Sequence, residues 1–213
     1  MSTRRLPVYI LLDTSGSMRG EPIHSVNVGL QTMISALRQD PYALESVHLS
    51  IITFDVEARV YLPLTSLDQV RLADIEVPEA GATFMGAALN MLIECVDRDV
   101  RKSTANAKGD WRPLIFLMTD GSPSDLYAFR EAIPEIKRRN FGLIVACAAG
   151  PKAKHLNLLE LTDRVVTMDT MDATAFSGFF KWVSASVATG SSSAGVSDRV
   201  SLLPPPSEVQ LVP

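Results

Sequence analysis

Asp13, Ser15 and Ser17 occupy alternate positions in "LLDTSGSM", directly after an apolar run. In an extended or looping segment alternate side chains point the same way, so three oxygens from one short loop can face a common point. Gly16 lets the backbone turn tightly between them. A second acid, Asp120, follows another apolar run in "IFLMTDGSPSD", again with Gly and Ser behind it. Thr83 lies in the Gly-containing stretch "EAGATFMGA", immediately before a segment of helical period. One acid after a strand reads more readily as a helix cap or turn former. Two acids ending two buried strands, each followed by Ser and Gly, tilt the reading toward a site. An oxygen set without His or Cys suits Mg2+ or Mn2+ rather than zinc. Octahedral preference leaves at least one position open. If hydroxyls make most of the direct bonds, the cation stays electrophilic toward an incoming carboxylate. The expected partner is a protein that donates an Asp or Glu to the metal.

The elements that must position these residues alternate along the chain. "LPVYILL" (Leu6 to Leu12), "PLIFLMT" (Pro113 to Thr119) and "FGLIVACAA" (Phe141 to Ala149) are continuous apolar runs, as strands covered on both faces would be. "VHLSIITF" (Val47 to Phe54) and "ARVYLPL" (Ala58 to Leu64) are close enough in sequence to form a hairpin, and "RVVTM" (Arg164 to Met168) is a shorter strand. Apolar residues at spacings of three and four mark helices: Ile23 to Leu37 with Pro22 in the first turn, Phe84 to Lys102, a segment from about Ser124 that Pro134 should kink or divide, and Ala173 to Val187. The expected fold is α/β: a doubly wound, mostly parallel sheet with one antiparallel edge strand and helices on both faces. In such sheets ligands bind beyond the carboxyl ends of the strands, where strand order reverses. Asp13 and Asp120 both fall at such ends.

Composition bounds the function. The chain has 213 residues, 46% hydrophobic and 21% charged, enough for one full domain with a sizeable core. The net charge is -4, which gives no basic stripe for nucleic acid. "IKRRN" reads as the solvated end of a helix, where cations favour the dipole. The N-terminal apolar run stops at Asp13, has no small-residue cleavage site and is too short to span a bilayer, so a cytoplasmic protein is expected, with no membrane partner. Cys95 and Cys147 fit two buried free thiols in a reduced compartment, with a disulfide left open. His24, His48 and His155 share no ligand spacing, and Met33, Met85, Met91 and Met118 read as core filling. Phe84 and Met85 beside Thr83 read as core residues, with an apolar rim for a partner as the alternative. Composition changes near Thr189, dividing the chain into 1–189 and a Ser- and Pro-rich tail, 190–213, that is either disordered, extended as polyproline, or added to a sheet edge.

With "DTSGSM", Thr83 in "GAT" and "TDG" at Thr119 to Gly121, the chain resembles the von Willebrand factor A domain family. Its metal-ion-dependent adhesion site uses a D-x-S-x-S loop, a distant Thr and a distant Asp. The resemblance implies a Rossmann-like fold over about residues 6 to 189, a protein-binding module, and Asp13, Ser15, Ser17, Thr83 and Asp120 as its metal ligands. More narrowly, "LPVYILLDTSGSM", "GEPI", "ITFDVEARV" and "LMTDGSPSD" look like bacterial TerY-type proteins of tellurium-resistance and stress-response operons. That likeness implies kinase and phosphatase components of the same operon as partners.

An enzyme is the rival reading, a metal-dependent phosphatase or phosphotransferase with Asp13 as nucleophile. Haloacid-dehalogenase phosphatases carry a second Asp two residues on as general acid; here that position is Ser15, which cannot do that work. No G-x-S-x-G or G-x-x-x-x-G-K stretch supports a serine hydrolase or a P-loop. The expectation is that the protein is not an enzyme.

Overall fold

The computed structural model describes residues 4–78, 81–139, 141–151, 153–193 and 202–212. Strand β1 (Leu6–Asp13) is buried along its whole length. Val8, Ile10 and Leu12 join the core on one face of the sheet, while Tyr9 and Leu11 join the core on the other. That is why the run shows no polar alternation: both of its faces exclude water.

Six further strands complete the sheet among the described residues: β2 (Val47–Phe54), β3 (Ala58–Ser66), β4 (Leu114–Thr119), β5 (Leu143–Ala149), β6 (Val165–Met168) and β7 (Gln210–Leu211). They lie in the order β3-β2-β1-β4-β5-β6-β7. The five strands from β2 to β6 in that row are parallel, and β3 and β7 pair antiparallel at its two ends. Helices α1 (Glu21–Gln39), α2 (Pro41–Ser46) and α6 (Ala173–Ser193) bury their apolar sides in one core. Helices α3 (Met85–Asp99), α4 (Leu126–Arg138) and α5 (His155–Leu161) bury theirs in the other. Gly29 of α1 lies against the Phe180 ring of α6, where an added Cβ would sit 2.2 Å from a ring carbon.

The structure departs from the sequence expectations at several points. The sheet has two antiparallel edges rather than one, because residues 202–212 return to it and β7 pairs with β6, the edge-strand alternative for the tail. Helix α6 runs on to Ser193, so the composition break at Thr189 falls inside a helix; residues 194–201 lie outside the described residues. Pro134 neither divides nor ends α4. It sits on the exposed side, where water can satisfy the carbonyl that its missing N–H leaves free. Helix α3 stops at Asp99 rather than Lys102. Helices α2 and α5 have six and seven residues, too few to show a period. The basic end of α4 behaves as expected, and Arg139 beyond it pairs with Asp97 of α3 at 2.6 Å. Cys95 and Cys147 are both buried and free.

Candidate metal centre

Strand order reverses at β1, which has β2 on one side and β4 on the other. Leu12 lies opposite Met118, so Asp13 and Thr119 end side by side at the carboxyl edge. Thr119 Oγ1 donates a 2.6 Å hydrogen bond to Asp13 Oδ2, and Ser15 N donates to Asp13 Oδ1 at 2.8 Å. Asp13 is 1% exposed. Burial pushes its carboxyl up to about 6, against the opposing pull of the Thr119 and Ser15 hydrogen bonds, and the charge of nearby Asp120 adds to the rise.

Beyond Asp13 the backbone stays extended at Ser15 and then turns. Gly16–Met18 form one turn of 3-10 helix, closed by Met18 N donating to Ser15 O at 2.9 Å. Met18 is buried and pins this turn to the core. The Ser15 and Ser17 hydroxyls lie 3.3 Å apart. The turn thus brings these two serine hydroxyls together. Gly20, at φ 86°, swings the chain from this turn into α1, a left-handed position that favours glycine.

Thr83 comes from the loop before α3 and is 7% exposed. Gly81, on the same loop, lies against the first loop, where a Cβ would meet Ser15 Cα at 2.9 Å. Gly121, next to Asp120, lies against Thr83, where a Cβ would meet Thr83 Oγ1 at 3.0 Å. The loops carrying Asp13, Ser15 and Ser17, then Thr83, then Asp120 thus converge at one point of the sheet edge. Phe84 is half-buried and Met85 fully buried, so Met85 belongs to the core and not to the rim.

One feature suits this oxygen set to a divalent cation. Asp120 is 5% exposed and its Oδ1 has no hydrogen-bond partner, an arrangement that a buried carboxylate does not hold without a reason. Among the described residues no three His, Cys, Asp or Glu side chains cluster as a metal site. A cation here would have to combine the two carboxylates with the hydroxyls of Ser15, Ser17 and Thr83, a hard-oxygen set.

The sequence reading missed three residues around these loops. Asp55, fully buried at the end of β2, accepts from Arg59 Nη1 at 3.1 Å and faces Thr14 Oγ1 at 3.5 Å. Its carbonyl accepts from Phe84 N at 2.8 Å, beside Thr83. An acid ending a buried strand was the signal that picked out Asp13 and Asp120, and "ITFD" carries the same signal. Ser124 and Asp125 also reach the Thr83 loop, and nothing local in "SPSD" foretells it.

A profile of the von Willebrand factor type A domain matches residues 8–180. No curated protein sequence matches the chain. Among solved structures, the chain is similar to proximal thread matrix protein 1 from the mussel byssus with a zinc-occupied MIDAS motif, at 15% identity and a TM-score of 0.57, covering 87% of this chain and 48% of that one. It is similar to the pilus adhesin SpaC from Lactobacillus rhamnosus GG at 11% identity and a TM-score of 0.69, covering 89% of this chain and 31% of that one. It is also similar to BatB, a conserved hypothetical protein from Bacteroides thetaiotaomicron, at 16% identity and a TM-score of 0.54, covering 87% and 99%. The chain spans about half the length of the mussel protein and about a third of the adhesin.

Proposed function

The chain belongs to the von Willebrand factor type A domain family, and on that footing we propose that it is a Mg2+-dependent protein-interaction module and not an enzyme. Asp13, Ser15, Ser17, Thr83 and Asp120 would hold the cation, and a carboxylate of a protein partner would complete its coordination. The observation that carries this reading is the buried, unpartnered Asp120 Oδ1 at the point where the three loops meet. The MIDAS of the mussel protein holds zinc, but the all-oxygen set here favours a harder ion such as Mg2+ or Mn2+.

The bound ion would supply a Lewis-acidic point for a carboxylate oxygen. The protein's own residues do the rest. Thr119 and the Ser15 amide orient the Asp13 carboxylate, and the 3-10 turn holds both serine hydroxyls on one side. Against catalysis, Ser15 stands where a phosphatase of this general layout carries its acid.

No helix among the described residues is long and apolar enough to cross a membrane. The narrower resemblance to TerY-type proteins would place the module in the cytoplasm, in a bacterial tellurium-resistance or stress-response system. Kinase or phosphatase components would then be its partners. A pull-down from the source cells with and without Mg2+ tests the reading: partners retained in Mg2+, lost in chelator and lost with Asp13→Ala support it. Partners that stay bound in chelator contradict metal docking.

A further inference from the structure

Thr83 and Asp120 are supplied by segments 37 residues apart in the chain, yet a short strap joins them. Thr83 N donates to Ser124 Oγ at 3.1 Å, and Ser124 N donates back to Thr83 O at 2.8 Å. Immediately downstream, the Asp125 carboxylate takes two amides from the first turn of α3, Gly86 N at 3.0 Å and Ala87 N at 2.9 Å. Those amides have no partner inside their own helix, and Phe84, the residue before α3, offers no side-chain cap. Asp125 precedes α4 but makes no side-chain cap there. It caps the neighbouring helix instead, where a negative charge also suits the dipole.

Backbone packing seals the same junction. Gly86 lies so close to the first turn of α4 that a Cβ would meet Phe129 N at 2.4 Å. Gly121 brings the Asp120 loop against Thr83 Oγ1. The loop of Asp120, the loop of Thr83 and the starts of α3 and α4 therefore form one fastened unit.

We propose that Ser124 and Asp125 are positioning residues of the metal centre, fastening Thr83 to the loop of Asp120 so that these two ligands are assembled before a cation arrives. The proposal rests on the metal-site reading above. Neither residue is a ligand. Each acts through the placement of Thr83, as outer hydrogen-bonding partners of metal ligands do elsewhere, where their loss weakens affinity by roughly 10- to 100-fold.

The test is a Mn2+ titration of the full chain by calorimetry, paired with thermal unfolding in chelator. Asp125→Ala is expected to weaken Mn2+ binding about tenfold or more. Ser124→Ala should weaken it by a smaller factor, and Ser124→Thr, which keeps the hydroxyl, should restore it. Because Asp125→Ala also uncaps α3, the control is Asp172→Ala. Asp172 Oδ1 accepts from Thr174 N and Ala175 N at the start of α6, which carries none of the five oxygen donors. Asp172→Ala should lower the unfolding temperature and leave Mn2+ affinity unchanged. If Asp125→Ala and Ser124→Ala keep wild-type affinity while Thr83→Ala loses it, the strap is structural only and the proposal is overturned. If Thr83→Ala itself keeps wild-type affinity, the metal-site reading fails, and the proposal with it.

Discussion

Thr119 Oγ1 donates to Asp13 Oδ2 at 2.6 Å, across the boundary between β4 and β1 where strand order reverses. The same Thr119 oxygen accepts from Gly121 N at 3.1 Å. One hydroxyl thus ties the first acid of the proposed centre to the loop of the second.

Replacing Thr119 by Val keeps the shape and removes the hydroxyl. It leaves one oxygen of a buried carboxylate and one loop amide without partners. A loss of about 1–3 kcal/mol of stability is expected in chelator, the usual cost of an orphaned buried polar group. Denaturant unfolding measures it. Weaker divalent binding should accompany it, because Asp13 is no longer oriented.

The pH dependence of the metal-free protein follows from Asp13. Its folded carboxyl is raised to about 6 by burial, above the 3.8 of the free group. Between those values the folded state holds more protons than the unfolded one, so stability falls as pH rises through the window and levels off above it. The full effect is up to roughly 3 kcal/mol. Unfolding in chelator from pH 4 to pH 7 should show this slope, and Asp13→Asn should flatten it. Saturating Mg2+, which requires the carboxylate, should oppose it.

Two glycines separate packing from site geometry. Gly86→Ala forces a Cβ to 2.4 Å from backbone nitrogen of α4, which cannot yield cheaply, so a stability loss of about 1–3 kcal/mol is expected. Gly121→Ala meets the Thr83 hydroxyl at 3.0 Å instead. A small shift of Thr83 relieves that contact, so divalent affinity should fall more than stability does. Parallel unfolding and Mn2+ titration of the two variants reads the contrast.

Trp182 reports on the C-terminal segment. Its Nε1 donates to Leu203 O at 2.8 Å, and Val209 is buried in the same core. Removing residues 202–213 should shift tryptophan emission to the red and lower the unfolding temperature. It also strips β7 from β6 and leaves an open sheet edge, so greater self-association is expected in light scattering.

Much of this molecule was legible along the chain. Unbroken apolar runs announced strands covered on both faces, and spacings of three and four announced α1, α3 and α6. Acids at the ends of two such runs, with Ser15, Ser17 and Thr83, outlined a candidate hard-oxygen centre. These features are local: an unbroken apolar run, a helical period and turn chemistry are read from neighbours within a few residues. Tertiary structure decided what depends on partners distant in sequence. It brought Asp13 beside Thr119, placed Thr83 against Gly121, and left Asp120 Oδ1 without a partner. It also set Asp125, the residue before α4, as the cap of α3, and brought a Pro-rich segment back as an edge strand. A local pattern encodes which face of an element is apolar. Which other element covers that face, and so which donors meet, follows only from strand order and from the crossovers that pack helices against the sheet.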